Sequence, residues 1–254
     1  MTDWPVGYGR RVLAEVDSTN SEAARIAPGL SGPEWILGLR QTKGRGRRGR
    51  PWSDPTGNFA GTLVLQPKEG PEVVALRSFV AALSLFDAFV GAGVRAEALS
   101  LKWPNDVLLN GAKVAGILLE SAGFAGGKAS HLAIGIGVNL KHAPDPGQLE
   151  ARAVAPVSLL SETGVNIDAE DFLTLLAAAY ARYETQFTTY GFAPIREAWL
   201  ARAAKLGEVI TARTSRDETV GIFETVDLAG NLVLKTSGET HGGSVAIPAA
   251  EVFF

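Results

Sequence analysis

Along the chain, stretches where apolar and polar residues alternate give way to stretches where apolar residues recur every three or four positions. Residues 12–16 alternate as a short strand and lead into Asp17-Ser18-Thr19-Asn20-Ser21-Glu22, where Thr19 and Glu22 have capping-box spacing. A helix is expected from there to about Ile26, closed by Pro28-Gly29. Residues 34–40 and 59–66 read as strands, and 72–90 as a long helix rich in Ala and Leu. Residues 99–106 form a strand that ends in a turn. The runs 107–109 and 114–119 flank Asn110-Gly111, the dipeptide a tight hairpin favours because both turn positions need positive φ. A second turn is expected at 123–128, then a strand over 131–140 containing Gly135-Ile136-Gly137-Val138-Asn139. Hairpin-linked strands with helices set apart predict an α+β fold with an antiparallel or mixed sheet.

Residues 141–156 lose periodicity and gain Pro, Gly and charge, so a lid or binding segment is expected there. Helices follow over 168–187 and 194–204, the second with Pro194 in its first turn. From Leu206 the texture changes to short β-rich runs at 208–213, 219–227, 232–236 and 244–247, separated by Gly-containing turns. Such runs predict a small β-barrel, and therefore two domains, 1–205 and 206–254.

With 254 residues, 46% of them hydrophobic, the chain can bury a substantial core. It has no cysteine, which excludes disulfides, thiolate metal sites and thioester chemistry. His131, His142 and His241 lack ligand spacing, so no histidine metal site is expected. The N-terminus lacks a signal-peptide pattern, and the apolar run at 79–94 is broken by Ser84, Asp87 and glycines. A cytoplasmic protein without a membrane partner is the expectation.

A net charge of −3 makes one segment stand out: residues 40–50 carry six basic residues, three glycines and no acid. Glycines let backbone N–H groups approach an anion, and arginine grips phosphate or carboxylate oxygens two at a time. Gly44-x-Gly46-x-x-Gly49 matches the dinucleotide fingerprint, but Pro51 and Pro55 follow where that fingerprint needs a helix. It also lacks the Gly-Lys-Ser/Thr of a Walker A loop. A nucleic-acid patch, a small-molecule phosphate loop and a merely solvated charged loop remain.

Three further segments are polar at strand ends: Ser18-Thr19-Asn20, Lys102-Trp103-Pro104-Asn105-Asp106 with Lys113, and Gly135 to Asn139. Helix capping alone accounts for Thr19, and Pro-Asn-Asp is ordinary turn chemistry. Lys113 opens an otherwise apolar strand, which allows its ammonium to enter a cleft. Gly116, Gly135 and Gly137 inside strands suggest a close approach by a ligand or another backbone.

Together these segments resemble the biotin protein ligases. The resemblance is carried by Asp17-Ser18-Thr19-Asn20, Gln41, Gly44-Arg45-Gly46-Arg47-Arg48-Gly49-Arg50, Lys102 to Asp106, Lys113-Val114-Ala115-Gly116-Ile117-Leu118-Leu119-Glu120 and Gly135 to Asn139, in family order. It implies a class II synthetase-like catalytic domain with a mixed sheet and flanking helices, followed by an SH3-like β-barrel. It also implies an ATP-, biotin- and Mg²⁺-dependent enzyme that makes biotinyl-5′-AMP and biotinylates one lysine of the biotin carboxyl carrier protein of acetyl-CoA carboxylase. By resemblance, Ser18, Thr19, Asn20, Gln41, Gly44, Arg45, Gly46, Arg47, Trp52, Lys113 and Gly116 bind biotin. Arg47, Arg48, Arg50, Asn105, Lys113 and Asn139 bind ATP or the adenylate. Arg47, Lys113 and Asp106 are the catalytic candidates, with Asp106 orienting or deprotonating the incoming lysine. The metal ligands stay unknown.

The family's N-terminal helix-turn-helix, present in some bacterial members, has no room before Asp17, so a mono-functional ligase with no DNA partner is expected. A homodimer stays open. A lipoate–protein ligase of the same fold is the rival enzyme, and a nucleic-acid-binding module the rival of another class.

Overall fold

The structure is a computed structural model that describes residues 3–53, 55–122, 130–145, 154–236 and 243–254. The turn expected at 123–128, residues 146–153 of the expected lid, and His241 lie outside the described residues.

The elements run β1 (Gly9–Leu13), α1 (Thr19–Ile26), β2 (Glu34–Gly38), β3 (Phe59–Leu65), α2 (Pro71–Ala75), α3 (Arg77–Gly91), β4 (Leu99–Lys102), β5 (Asp106–Leu109), β6 (Ala112–Ala122) and β7 (His131–Val138). There follow α4 (Leu159–Thr163), α5 (Ala169–Tyr190), α6 (Phe192–Leu200) and five strands: β8 (Val209–Arg213), β9 (Glu218–Val226), β10 (Leu232–Lys235), β11 (Ser244–Ile247) and β12 (Glu251–Phe253). β1 lies earlier than residues 12–16, because after Leu13 only Val16 rejoins the sheet, bridging to Gln41. The helix expected over 72–90 is divided at Leu76, whose helical φ and ψ keep α2 and α3 almost continuous.

Seven strands form a mixed sheet in the order β1-β2-β3-β7-β6-β5-β4, with β1 and β2 parallel and the other pairs antiparallel. The last five form an antiparallel sheet, β11-β10-β9-β8-β12. Asn110 and Gly111 both take positive φ, at 51° and 79°, so the β5–β6 turn is closed by the residues the sequence offers.

Side chains alternate across a strand, so each strand of the large sheet feeds two environments. Trp35, Leu37, Phe59, Leu63, Ile134 and Ile136 belong to the main core with α3 and α5. Phe172 of α5 edges Phe59 at 5.4 Å and tilts against Phe89 at 5.3 Å. The same core continues into the C-terminal sheet: Trp199 contacts Phe79 at 5.3 Å and Phe223 at 6.5 Å, and Trp103 Nε1 donates to Gly230 O. The stretch Pro71–Gly91 is long and apolar enough to cross a membrane by composition, yet 72% of its apolar 18-residue window is buried inside the protein, as a core helix is.

The opposite face of the sheet is only partly covered. Ala23 of α1 and Ala27, just past its end, pack there on Ile36, Val64 and Ala133. The rest of that face is open, and forms the floor of a cleft.

Candidate active site

Pairing registers align one residue from each of five strands across the floor: Ala60, Gly137, Gly116, Asp106 and Lys102. At about 4.8 Å per strand, the row begins with small residues and ends in two charges. The cleft above it has a volume of about 610 Å³.

The small residues leave a trench that two other side chains enter. A Cβ on Gly137 would lie 2.4–2.6 Å from indole atoms of Trp52, and one on Gly135 would lie 2.4 Å from Asn20 Oδ1. The close approach foreseen at these glycines is therefore made by side chains of this chain, not by another backbone. Gly116 sits between Trp52 and Lys113, each 3.3 Å from where its Cβ would be.

At the trench end near α1, the polar groups form a chain. Thr19 departs from the capping expectation: Ser18 is the N-cap residue, without a side-chain cap bond, and the Thr19 hydroxyl faces Gln41 and Thr62 instead. Thr19 N donates to Gln41 Oε1 at 2.9 Å. Asn20 Nδ2 donates to Glu120 Oε2 at 2.7 Å; a carboxylate only accepts, so Asn20 Oδ1 must face Thr62, whose hydroxyl donates to it at 2.6 Å. The Thr62 hydroxyl also lies 2.8 Å from that of Thr19, which donates to Gln41 Oε1 at 3.1 Å. Ser18 is buried beside the cleft, and its hydroxyl has no partner among the described residues.

The basic loop closes on itself through Gly46 N to Arg50 O at 2.7 Å and Trp52 N to Gly44 O at 3.0 Å. A Cβ on Gly44 would meet Trp52 O at 2.9 Å, which explains glycine there. Three of its arginines border the cleft and are also paired with carboxylates of this chain. Arg45 borders the cleft, but its guanidinium grips Glu120 at 2.8 and 3.1 Å and Ser21 Oγ at 2.8 Å. Arg48 and Arg50 reach Glu251 of β12 at 3.1 and 2.7 Å. Arg47 alone forms no ion pair among the described residues; it donates to Asn105 Oδ1 at 3.2 Å. Burial, then Arg48 and Arg50, push the Arg47 guanidinium down against the pull of Asp106 and Glu251. A desolvated guanidinium without a carboxylate of its own suits an anionic ligand.

Lys113 reaches the cleft through a bulge. The β5–β6 register shifts between Val107 and Leu108, which leaves Val114 as the extra residue. Val114 and Ala115 both enter the core, and Lys113 is turned to the face of Gly116. Its ammonium lies 2.6 Å from Asp106 Oδ1 and 5.7 Å from the centre of the Trp52 ring. Lys102 Nζ stands 3.7 Å from Asp106 Oδ2. Burial pushes the Asp106 carboxyl up, but Lys113, Lys102 and Arg47 together outweigh it and hold the carboxyl below its ordinary value. Burial likewise lowers Lys102, with Asp106 opposing. One ionised carboxylate is thus paired with two lysines, with Arg47 near by, leaving the cleft end net positive.

Asn105 is fixed by its own donation to Ile117 O at 2.6 Å, and Asn139 by donation to Val157 O at 3.0 Å. Both border the cleft. Sequence reasoning passed over Thr62, Glu120 as a ligand-side group, and Glu251, and singled out Lys102 without giving it a role. A threonine inside an apolar strand and a glutamate ending a motif carry no local signal; only the sheet register brings them together.

Residues 13–139 match the model of the biotin/lipoate A/B protein ligase family. Over 243 residues, 96% of this chain and 99% of the relative, the chain is 58% identical to a biotin–[acetyl-CoA-carboxylase] ligase of Paracoccus denitrificans. It is 30% identical over 246 residues to the bifunctional ligase/repressor BirA of Escherichia coli K12, covering 94% of this chain and 74% of that protein. Among solved structures, the biotin protein ligase from Aquifex aeolicus in complex with biotin and ATP superposes with a TM-score of 0.80 at 25% identity, covering 96% of this chain and 98% of that one.

Proposed function

We infer that this chain, which belongs to the biotin/lipoate A/B protein ligase family, is an ATP-dependent biotin–[acetyl-CoA-carboxylase] ligase. The observation that carries the reaction class is the floor of the cleft: a neutral trench of small residues that runs straight into Asp106, Lys102 and Lys113. A ligand with an uncharged head and a carboxylate tail fits that polarity, with a nucleotide phosphate meeting the tail at the cationic end.

In the first step, a carboxylate oxygen of biotin attacks the α-phosphorus of ATP, the bond to the β-phosphate bridge breaks, and pyrophosphate leaves with the electrons. Biotinyl-5′-AMP remains. In the second, the neutral amine of a carrier lysine attacks the acyl carbon, the bond from that carbon to the phosphate oxygen breaks, AMP leaves with the electrons, and the amine proton passes to the departing phosphate or to water. The first step brings two anions together and the second releases the anionic AMP, so fixed cations in the cleft supply most of the acceleration.

The roles we propose follow the geometry. Ser18, Thr19, Asn20 and Gln41 hydrogen-bond the biotin head, with Gly44, Gly46 and Gly116 admitting it and Trp52 forming an aromatic wall. Arg45 serves through Glu120. Lys113 bridges the biotin carboxylate and the α-phosphate, Arg47 holds the adenylate, and Asn105 and Asn139 border the nucleotide. An aspartate held below its ordinary value is a weak base, so Asp106 orients Lys113 and the incoming amine rather than deprotonating it. Among the described residues no three His, Cys, Asp or Glu side chains gather, and Asp106 and Glu251 in the cleft are paired with cations. That donor set does not fit a resident metal site, so we propose that Mg²⁺ arrives on the polyphosphate of ATP. The acceptor is the carboxyl carrier protein, and the reading places it in the cytoplasm, with no DNA or membrane partner.

The test is biotin-dependent exchange of labelled pyrophosphate into ATP, run beside lipoate. Exchange with biotin and none with lipoate is expected. Exchange with lipoate instead would move the substrate to the rival vitamin, and none with either would overturn the ligase reading.

A further inference from the structure

Within the basic loop, alternate arginines meet different fates. Arg45 is held from one side by Glu120 of β6, and Arg48 and Arg50 from the other by Glu251 of β12. Between these anchors lies a single 3₁₀ turn, Arg47–Gly49, in which Arg48 takes a φ of 57°. A non-glycine residue keeps that left-handed conformation only where its surroundings hold it. Arg48 Nη1 is held 3.1 Å from Glu251 Oε2, Arg50 Nη1 2.7 Å from Oε1, and Arg213 Nη2 of β8 lies 2.8 Å from Oε2. Glu251 is itself fixed, since it pairs with Arg213 across the β8–β12 ladder and its side chain is only 16% exposed.

We propose that Glu251 is a positioning residue for adenylate formation: from the C-terminal sheet it clamps Arg48 and Arg50, and so sets the turn that presents Arg47 to the cleft. The inference rests on the ligase reading above. A lone carboxylate bordering the cleft would repel the phosphates of ATP. Here three guanidiniums surround it, so the cluster as a whole stays cationic and the carboxylate can serve as an anchor without opposing the ligand. The clamp also ties the C-terminal sheet to a reaction whose other groups all come from the large sheet and its loops.

The experiment compares the full-length protein with Glu251→Gln, which removes the charge and keeps the shape, and with an Arg48→Gln/Arg50→Gln double variant. In pyrophosphate exchange, both should raise KM for ATP roughly tenfold and leave KM for biotin within about twofold, with only a small fall in Tm. Combining all three substitutions should add little, because they remove one shared interaction. Trypsin supplies a readout independent of activity: Glu251→Gln should be cut after Arg47 and Arg48 faster than the parent. Parental KM for ATP together with parental cleavage rates would overturn the clamp. So would a lowered KM for ATP, which would make Glu251 a brake. A parent without biotin-dependent exchange would sink the ligase reading instead, and the trypsin comparison would still decide the clamp.

Discussion

On one face of the seven-stranded sheet, Phe59, Leu63, Ile134 and Ile136 pack beneath α3 and α5; on the other, one residue along the same strands, stand Ala60, Thr62, Gly135 and Gly137. The first face is chosen for volume, the second for the lack of it. Adjacent positions therefore answer to different physics: substitutions on the helical face should move stability, and substitutions on the cleft face should move binding and rate.

The largest contrast pits Lys113 against Phe172. Lys113→Ala should slow biotin-dependent pyrophosphate exchange by about 10²- to 10³-fold, as loss of a fixed charge at a developing anion does, with Tm little changed. Phe172→Ala, fully buried against two rings, should cost about 3–5 kcal/mol in urea unfolding while each folded molecule keeps its activity. Neighbours on one strand sharpen the comparison. Gly137→Val drives a side chain into Trp52 and should weaken biotin binding at least about tenfold by calorimetry. Ile136→Val should cost about 0.5–1.5 kcal/mol of stability and leave biotin affinity alone.

Thr62 is the intermediate case, fully buried yet on the cleft face. Thr62→Val removes the donor to Asn20 Oδ1, an expected loss of about 1–3 kcal/mol, with KM for biotin raised several-fold. Thr62→Ser should restore both; a valine variant with parental KM would place Thr62 with the core. The smallest effect is pH-dependent. Burial opposes, but Arg213, Arg50 and Arg48 hold the Glu251 carboxyl at about 2, below its unfolded value. A depressed carboxyl contributes stability that is fully present above the unfolded value and disappears as pH falls toward about 2. The stability difference between the parent and Glu251→Gln should therefore be constant from pH 6 to 8 and shrink below about pH 4.5.

Much of this was legible in the sequence because its signals are local. Asn110-Gly111 specifies its own turn, Gly135 and Gly137 announce a close approach, and the arginine–glycine run announces an anion. What escaped depends on register and distance. Nothing around Val114 marks a bulge, yet the bulge decides which face receives Lys113. Thr19 fits a capping box until Gln41 and Thr62 compete for its hydroxyl. The partners of Arg48 and Arg50 lie some two hundred residues downstream on a three-residue strand too short to stand out.

The position of Trp52 has an optical consequence. The chain has five tryptophans, and Trp35, Trp103 and Trp199 are buried in the core while Trp4 donates its indole N–H to Tyr8 O. Only Trp52 borders the cleft, its ring facing the Lys113 ammonium. A ligand that enters the trench alters the polarity and charge around one indole and leaves four unchanged. Intrinsic fluorescence should therefore report occupancy without any label, and Trp52→Phe should silence that signal.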